Sequence, residues 1–300
     1  MTQDRRLLAV LLGILLATPG ALLPQDAATP LPDARAFLEQ VRQRLHSDEY
    51  LLDEYTFTER RTEKRFDAKG NVTEEKHEVY EVYPSARSRL TYRKLVARNG
   101  SPLPPDELAE QDRDHEKKVA RAMAGGEAAE AKRQKRRLER ARREQEIVDE
   151  LFRMYDIAFQ GREVLDGRSS LVVTFSPRPG AKPSNRAGKI LQKFAGRAWV
   201  DEQDYQVVRA EAELLDTFSY GLGVFARLYK GATASFVRRK VNGEVWLPAY
   251  ARFRGHARLL LVKGLRIDSE SEYTDYRKFE VATDEKIEPE ELPAAPGASR

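Results

Sequence analysis

Apolar residues recur three and four apart at Phe37, Leu38, Val41 and Leu45. That spacing predicts a short amphipathic helix over 33–46, with Asp33 as its N-cap. From Tyr50 the period shortens to two. Residues 50–66 and 72–83 are rich in Thr, Tyr, Phe and Val and flank the turn Asp67-Ala68-Lys69-Gly70-Asn71, the layout of a long β-hairpin. Residues 88–96 alternate Leu90, Tyr92 and Val96 against Arg89, Thr91 and Arg93, and Asn99-Gly100 closes that block. The pattern then loses its apolar beat. Residues 106–156 are almost entirely Ala, Glu, Lys, Arg and Gln, interrupted by Gly125-Gly126, which predicts either two helices folded as a hairpin or one bent helix. Ile147, Val148, Leu151, Phe152 and Tyr155 give the end of this stretch a sticky face for docking on the body, whereas the polar middle is expected to project into solvent.

Strand signals return after Ala158. They are expected at 169–176, 197–201, 205–215, 218–229, 232–241, 244–253, 259–263 and 265–276. Turns are expected at Gly167, Gly221, Gly231, Asn242-Gly243, Gly255 and Gly264, and one or two helical turns over 184–194. About ten or eleven strands at meander spacing favour an antiparallel sheet or barrel over a parallel α/β fold. The chemistry-bearing residues add little. His46, His77, His115 and His256 fall in four different elements, and no P-loop, G-x-S-x-G, H-E-x-x-H or G-x-G-x-x-G is present. No catalytic centre, metal site or cofactor is therefore expected.

Composition and charge narrow the picture. The 300 residues carry 52 Lys+Arg against 48 Asp+Glu, net +4, with no cysteine. The missing thiol excludes disulfides, thiolate metal sites and lipid attachment at an N-terminal Cys. Residues 1–28 have the layout of a secretory signal peptide: Arg5 and Arg6, an apolar run from Leu7 to Ala17, then Pro19-Gly20. That predicts export to a periplasm-like space, with the product soluble or associated with a membrane. The tail 285–300, with Pro289, Pro293 and Pro296, is expected to be disordered. The segment 132–143 holds Lys132, Arg133, Lys135, Arg136, Arg137, Arg140, Arg142 and Arg143 against one acid, Glu139. Two readings stay open for this basic patch. It is a solvated helix with i,i+4 pairs such as Arg142–Glu146, or an electrostatic contact for an envelope protein or an anionic membrane surface. The export signal, the flanking acids and the lack of stacking aromatics argue against nucleic acid.

Several segments carry a resemblance. Residues 83–90 (YPSARSRL) resemble a strand opening of the form Pro, then Arg, then apolar. Residues 196–209 (GRAWVDEQDYQVVR) resemble a strand, Asp, turn, strand hairpin. Trp246-Leu247-Pro248 followed by YTDYRKF at 273–279 resembles a pair of closing strands. Together with the leader and the short first helix, they are similar to the outer-membrane lipoprotein-sorting (LolA-like) superfamily, whose relatives include the outer-membrane lipoprotein receptor and the periplasmic domain of the sigma-E regulator. The resemblance covers 33–104 and 157–279 within a β domain at 29–284; the helical segment 106–156 departs from the family layout and reads as an insertion. It implies a mainly β, α+β fold: an open, strongly curved antiparallel half-barrel of ten or eleven strands, with a plug or lid helix over an apolar cavity. It also implies a non-catalytic carrier for lipid or lipoprotein acyl chains. Arg87 and Arg89 are the two candidates for the family's lid-tethering arginine. Large apolar residues in the right segments are the candidate cavity lining: Trp199, Phe218, Leu222, Phe225, Trp246, Tyr250, Phe253 and Leu260. Each also has a plain alternative as packing of the domain core. The second functional expectation is an envelope interaction or sensor protein that uses the basic segment.

Overall fold

The computed structural model describes residues 30–45, 52, 54–67, 69–84, 90–124, 126–220, 226–259 and 264–278. The expected signal peptide, Arg87, Arg89, Leu222, Phe225, Leu260 and the tail lie outside them. The fold is mainly β with helices, as expected. Thirteen described strands form a single antiparallel sheet. In chain order they are β1 (Tyr55–Phe66), β2 (Val72–Tyr83), β3 (Tyr92–Arg98), β4 (Ser101–Pro102), β5 (Tyr155–Leu165), β6 (Arg168–Pro177), β7 (Phe194–Asp201), β8 (Val207–Leu214), β9 (Phe218–Tyr220), β10 (Ala226–Leu228), β11 (Thr233–Val241), β12 (Val245–Leu259) and β13 (Leu265–Lys278). The continuous path runs β4-β3-β2-β1-β13-β12-β11-β8-β7-β6-β5, with the β9–β10 pair joined to the far end of β12. The described ends of this path, β4 and β5, do not pair with each other, so the sheet is open.

Four described helices accompany it: α1 (Ala34–Arg44), α2 (Pro105–Met123), α3 (Gly126–Met154) and α4 (Arg186–Leu191). The highly charged segment is two helices, and it connects the two edge strands of the sheet. Helix α2 begins with Pro105 in the first turn, followed by Asp106 and Glu107 at the positive end of the helix dipole. It then protects the β3 edge. The Gln111 side chain accepts from Leu95 N–H (2.9 Å) and donates to Leu95 C=O (3.0 Å), occupying groups that an edge strand otherwise leaves free.

Three expectations differ in detail. Tyr155 belongs to β5 and not to the preceding helix, because α3 passes directly into that strand. Gly255 is not a turn but lies inside β12, which runs through 245–259 as one strand. A Cβ there would meet the Phe253 ring at 2.8 Å, so glycine makes room for the ring two residues away. The region 218–229 holds two short strands instead of one.

Helix α1 seats Phe37 and Val41 on Leu171, Val173, Ala198 and Val200, and Phe159, Phe175 and Ala210 pack around them. Its last turn is tied down by Arg42 to Asp149 of α3 (2.8 Å) and by the Gln206 amide donating to Arg44 C=O (3.0 Å). The junction of α3 and α4 depends on Glu150, buried at 2% exposure. Its carboxylate accepts from Arg153 (2.5 Å), the Ser184 N–H (2.9 Å) and the Ser184 hydroxyl (2.6 Å). Gly188 is what lets it approach α4, since a Cβ there would stand 1.9 Å from Glu150 Oε1. The Arg153 bond, helped by both Ser184 donors and opposed by burial, lowers the Glu150 pKa from 4.5 to about 2.

Two outcomes follow for α3 docking. Replacing Glu150 by Ala strands Arg153 and both Ser184 donors, and chemical denaturation should show a loss of about 2–4 kcal/mol. Because the folded pKa is the lower one, the Glu150 contribution is complete above its unfolded pKa and disappears as pH falls from 4.5 toward 2. Melting curves of Glu150→Gln should therefore lose part of the acid destabilisation that the wild type shows in that window. An identical acid limb in the two proteins would contradict this assignment.

Candidate functional site

Register across the sheet sorts its side chains onto two faces, since residues directly opposite share a face and successive residues alternate. On the face that carries α1, one row reads Val173, Ala198, Ala210, Phe236, Ala251, Ser271, Arg61. The next row reads Phe175, Gly196, Ala212, Ala234, Phe253, Ser269, Glu63. Across β7, β8, β11, β12 and β13 this face is thus a strip of Gly, Ala and Ser studded with Phe rings. The core packed against α1 reaches Ala210. Beyond it Ala234 is exposed, and Ala212, Phe236, Ala251 and Phe253 are half-buried.

The strip has a polar boundary on the β1 side. Glu59, only 9% exposed, accepts from Arg93 (2.7 Å) and from the Ser271 hydroxyl (3.2 Å). The Arg93 guanidinium lies 3.3 Å from the centre of the Tyr80 ring, a cation–π contact. Glu63 holds Arg61 and Arg65. These charges are paired, so the boundary is ordered and polar while the strip beside it is apolar.

The opposite face has the reverse character. Its rows carry Arg197, Glu211, Ser235, Arg252 and Glu270, and Glu213, Thr233, Arg254, Asp268 and Lys64. Arg197 meets Glu211 at 3.0 Å, and Arg252 grips Asp268 with two bonds of 2.9 and 2.8 Å. Arg254 meets the same carboxylate at 2.9 Å, and Lys64 meets Glu75 at 3.0 Å. Arg252 and Arg254 hold the Asp268 carboxyl below the usual carboxylate range, against the desolvation that burial imposes. Such cross-strand pairs are each worth about 0.2–1 kcal/mol.

The candidate cavity residues separate accordingly. Phe253 lies on the α1 face, and so does Phe218, through the row Phe218, Leu228, Ala257, Leu265. Tyr250 lies on the charged face, opposite Val237 and Glu272. Trp199 and Trp246 are core residues. They pack with Val172 and Val208 at 2% and 7% exposure, and their indole N–H groups donate to Glu163 (2.7 Å) and Asp204 (2.8 Å). Arg209 caps the Trp199 ring at 4.3 Å. Asp204 also holds Lys240 (2.7 Å) and Arg168 (3.1 Å). The aromatic content of 197–201 and 245–248 is therefore used in sealing one end of the sheet. The small residues Gly196, Ala212, Ala234 and Ala251 were missed as candidates. The signal was their period-two spacing along four strands, which points to one face only once strand pairing is known. In the basic segment the described side chains of Lys135, Arg142 and Arg143 are exposed, and Arg142 pairs with Glu146 at 3.2 Å, as expected. No helix among the described residues is long and apolar enough to cross a membrane, and no three or more His, Asp or Glu among them are grouped to hold a metal ion.

No family model matches the sequence, and no curated protein matches it. Solved structures do. A LolA superfamily protein from Nitrosomonas europaea matches at 12% identity and a TM-score of 0.30, over 83% of this chain and 94% of that one. A DUF1329 family protein from Desulfovibrio piger matches at 11% and 0.27, over 81% and 92%. A chain of the MucA/MucB complex of Pseudomonas aeruginosa matches at 9% and 0.21, over 82% and 99%. The superfamily of the first is the one that the sequence segments resemble.

The two classes of aromatic residue should respond differently to truncation. Trp199→Ala should cost about 3–5 kcal/mol of stability, as expected for emptying a sealed site. Phe253→Ala, at a half-buried position, should cost clearly less. Paired denaturation curves measure both, and equal losses would place Phe253 in the core as well.

Proposed function

We propose that this chain is an exported, non-catalytic binding protein that holds acyl chains of a lipid or lipoprotein against the α1 face of its sheet. The observation that carries the reading is the strip from Gly196 through Ala212 and Ala234 to Phe253, apolar, poor in bulk and partly exposed beyond the helix. Small side chains leave depth for a guest, and each methylene removed from water contributes about 0.8 kcal/mol. Non-directional contact of this kind suits hydrocarbon, which presents nothing to hydrogen-bond. The paired charges at Glu59–Arg93 and at Glu63 set a limit to the strip and offer polar atoms to the head of a guest. The resemblance of 83–90 and 196–209 to the lipoprotein-sorting superfamily implies the same use. Export rests on the leader-like residues 1–28.

A fluorescent fatty acid titrated into delipidated protein tests the reading. The wild type should bind it. Ala234→Glu places a carboxylate on the strip at an exposed position, so the fold should tolerate it while affinity falls about tenfold or more. Wild-type protein that does not bind the probe, or a variant that binds it equally well with an unchanged melting temperature, would remove the strip as the acyl site.

A further inference from the structure

Helix α3 is anchored at one end and free over the rest. Val148 is the first buried residue among its described side chains, and Glu150, Phe152 and Met154 complete the docked end. Before Val148 every described side chain of α3 is exposed or only partly covered. Leu138, in the middle of this stretch, is 66% exposed. At the rise of an α-helix, the distance along the axis from Lys132 to Val148 is about 24 Å. The basic segment 132–143 is therefore carried on a helix that leaves the body of the protein.

Period divides that helix lengthwise. Stepping back from the docked residues Phe152 and Val148 in threes and fours gives Gln145, Ala141, Leu138, Gln134 and Ala131, a stripe without charge. All eight cations of 132–143 fall on the remaining circumference, roughly two thirds of it. Local acids are too few to neutralise them. The acids three or four residues from any of the eight are Glu130, Glu139, Glu144 and Glu146, and Lys132 and Arg137 have no acid at that spacing. Eight cations against four acids leave an excess of four. Acids of α2 are engaged elsewhere: Glu107 with Arg98 (3.6 Å), Asp112 with Lys94 (2.8 Å) and Asp114 with Lys117 (3.0 Å). The described side chains of Lys135, Arg142 and Arg143 are exposed.

We propose that the free part of α3 is a docking surface for an anionic phospholipid bilayer, with the cations of 132–143 lying among the headgroup phosphates. Charge complementarity selects the partner: clusters of four to eight Lys and Arg are drawn to anionic lipid, each cation contributing about fivefold in binding. Geometry separates a bilayer from an acidic protein. Stable protein interfaces centre on buried aromatic anchors, and 132–143 holds no aromatic residue. Cations spread over most of a helix suit mobile headgroups, which need no matching shape. The surface is distinct from the acyl strip on the sheet, so the two readings stand or fall separately.

Co-sedimentation of the full chain with large unilamellar vesicles tests it. One preparation is phosphatidylcholine alone, and the other is phosphatidylglycerol and phosphatidylcholine in equal parts. The readout is the preference for the mixed vesicles, so apolar binding by the leader-like residues 1–28 counts equally in both. The wild type should prefer the mixed vesicles about tenfold or more at low salt, and the preference should shrink as salt rises. Arg133→Gln/Arg136→Gln/Arg137→Gln/Arg140→Gln keeps helix propensity close to that of the wild type and should weaken binding to the mixed vesicles about a hundredfold or more, with circular dichroism unchanged. The charge-matched control Arg35→Gln/Arg44→Gln/Lys182→Gln/Lys189→Gln, at exposed positions elsewhere, should stay within a few-fold of the wild type. Ala234→Glu on the acyl strip should leave vesicle binding unchanged. No preference for the mixed vesicles at low salt overturns the proposal. A folded helix variant that binds them as the wild type does overturns it as well, and so does an equal loss in the control. Capture by immobilised polyglutamate without any preference for the mixed vesicles would assign the surface to an acidic protein instead.

Discussion

A wide single-layer sheet has to satisfy opposite solvents on its two sides, and the pleat is the device that does it. Adjacent residues on a strand point to opposite faces. A sequence that reads Arg197-Ala198-Trp199-Val200 or Arg209-Ala210-Glu211-Ala212 therefore builds two surfaces at once. One is dry, lined by Ala, Gly and Phe, and receives α1. The other is wet along its ladder of Arg and Glu and buries Trp199 beside Val172 and Trp246. Slipping any strand by one residue would exchange the two, placing Glu211 beneath α1 and Ala210 in water. Register is accordingly the constraint on which core, ladder and candidate sites all depend.

Local devices hold that register. Two-residue turns at Asp166-Gly167 and Asn99-Gly100 have both central residues at positive φ, the backbone whose twist matches the strands they join. They set Leu165 opposite Arg168 and Arg98 opposite Ser101. The Trp199 and Trp246 indoles lock one end through Glu163 and Asp204, and Tyr55, Val245 and Leu247 form a separate small core. Helices secure the edges: α2 occupies the β3 backbone through Gln111, and α3 runs straight into β5. The charged helical segment thus spans the gap between the two ends of an open sheet, and its outer turns are part of the fold while its middle carries the surface charge.

Hydrophobic contact needs area and no directionality, and the strip of small residues provides it on the dry face.

Most of the elements were legible from period and punctuation. Helix α1 with its Asp33 cap, the hairpin of β1 and β2, and the Asn242-Gly243 turn follow from spacing that depends on neighbours a few residues away. The break of the charged segment near Gly125-Gly126 was legible for the same reason. The strand order was not, because pairing β1 with β13 joins residues 200 or more positions apart, and no local period encodes a distant partner. For that reason the chemistry of the tryptophans left cavity lining and core packing both open, and only the tertiary structure shows them buried against Val172 and Val208. The small residues that make the dry strip acquired meaning only when pairing brought them onto a common face. What a residue is made of was written in the chain. Which face it shares, and with what neighbour, was decided by long-range hydrogen bonding between strands.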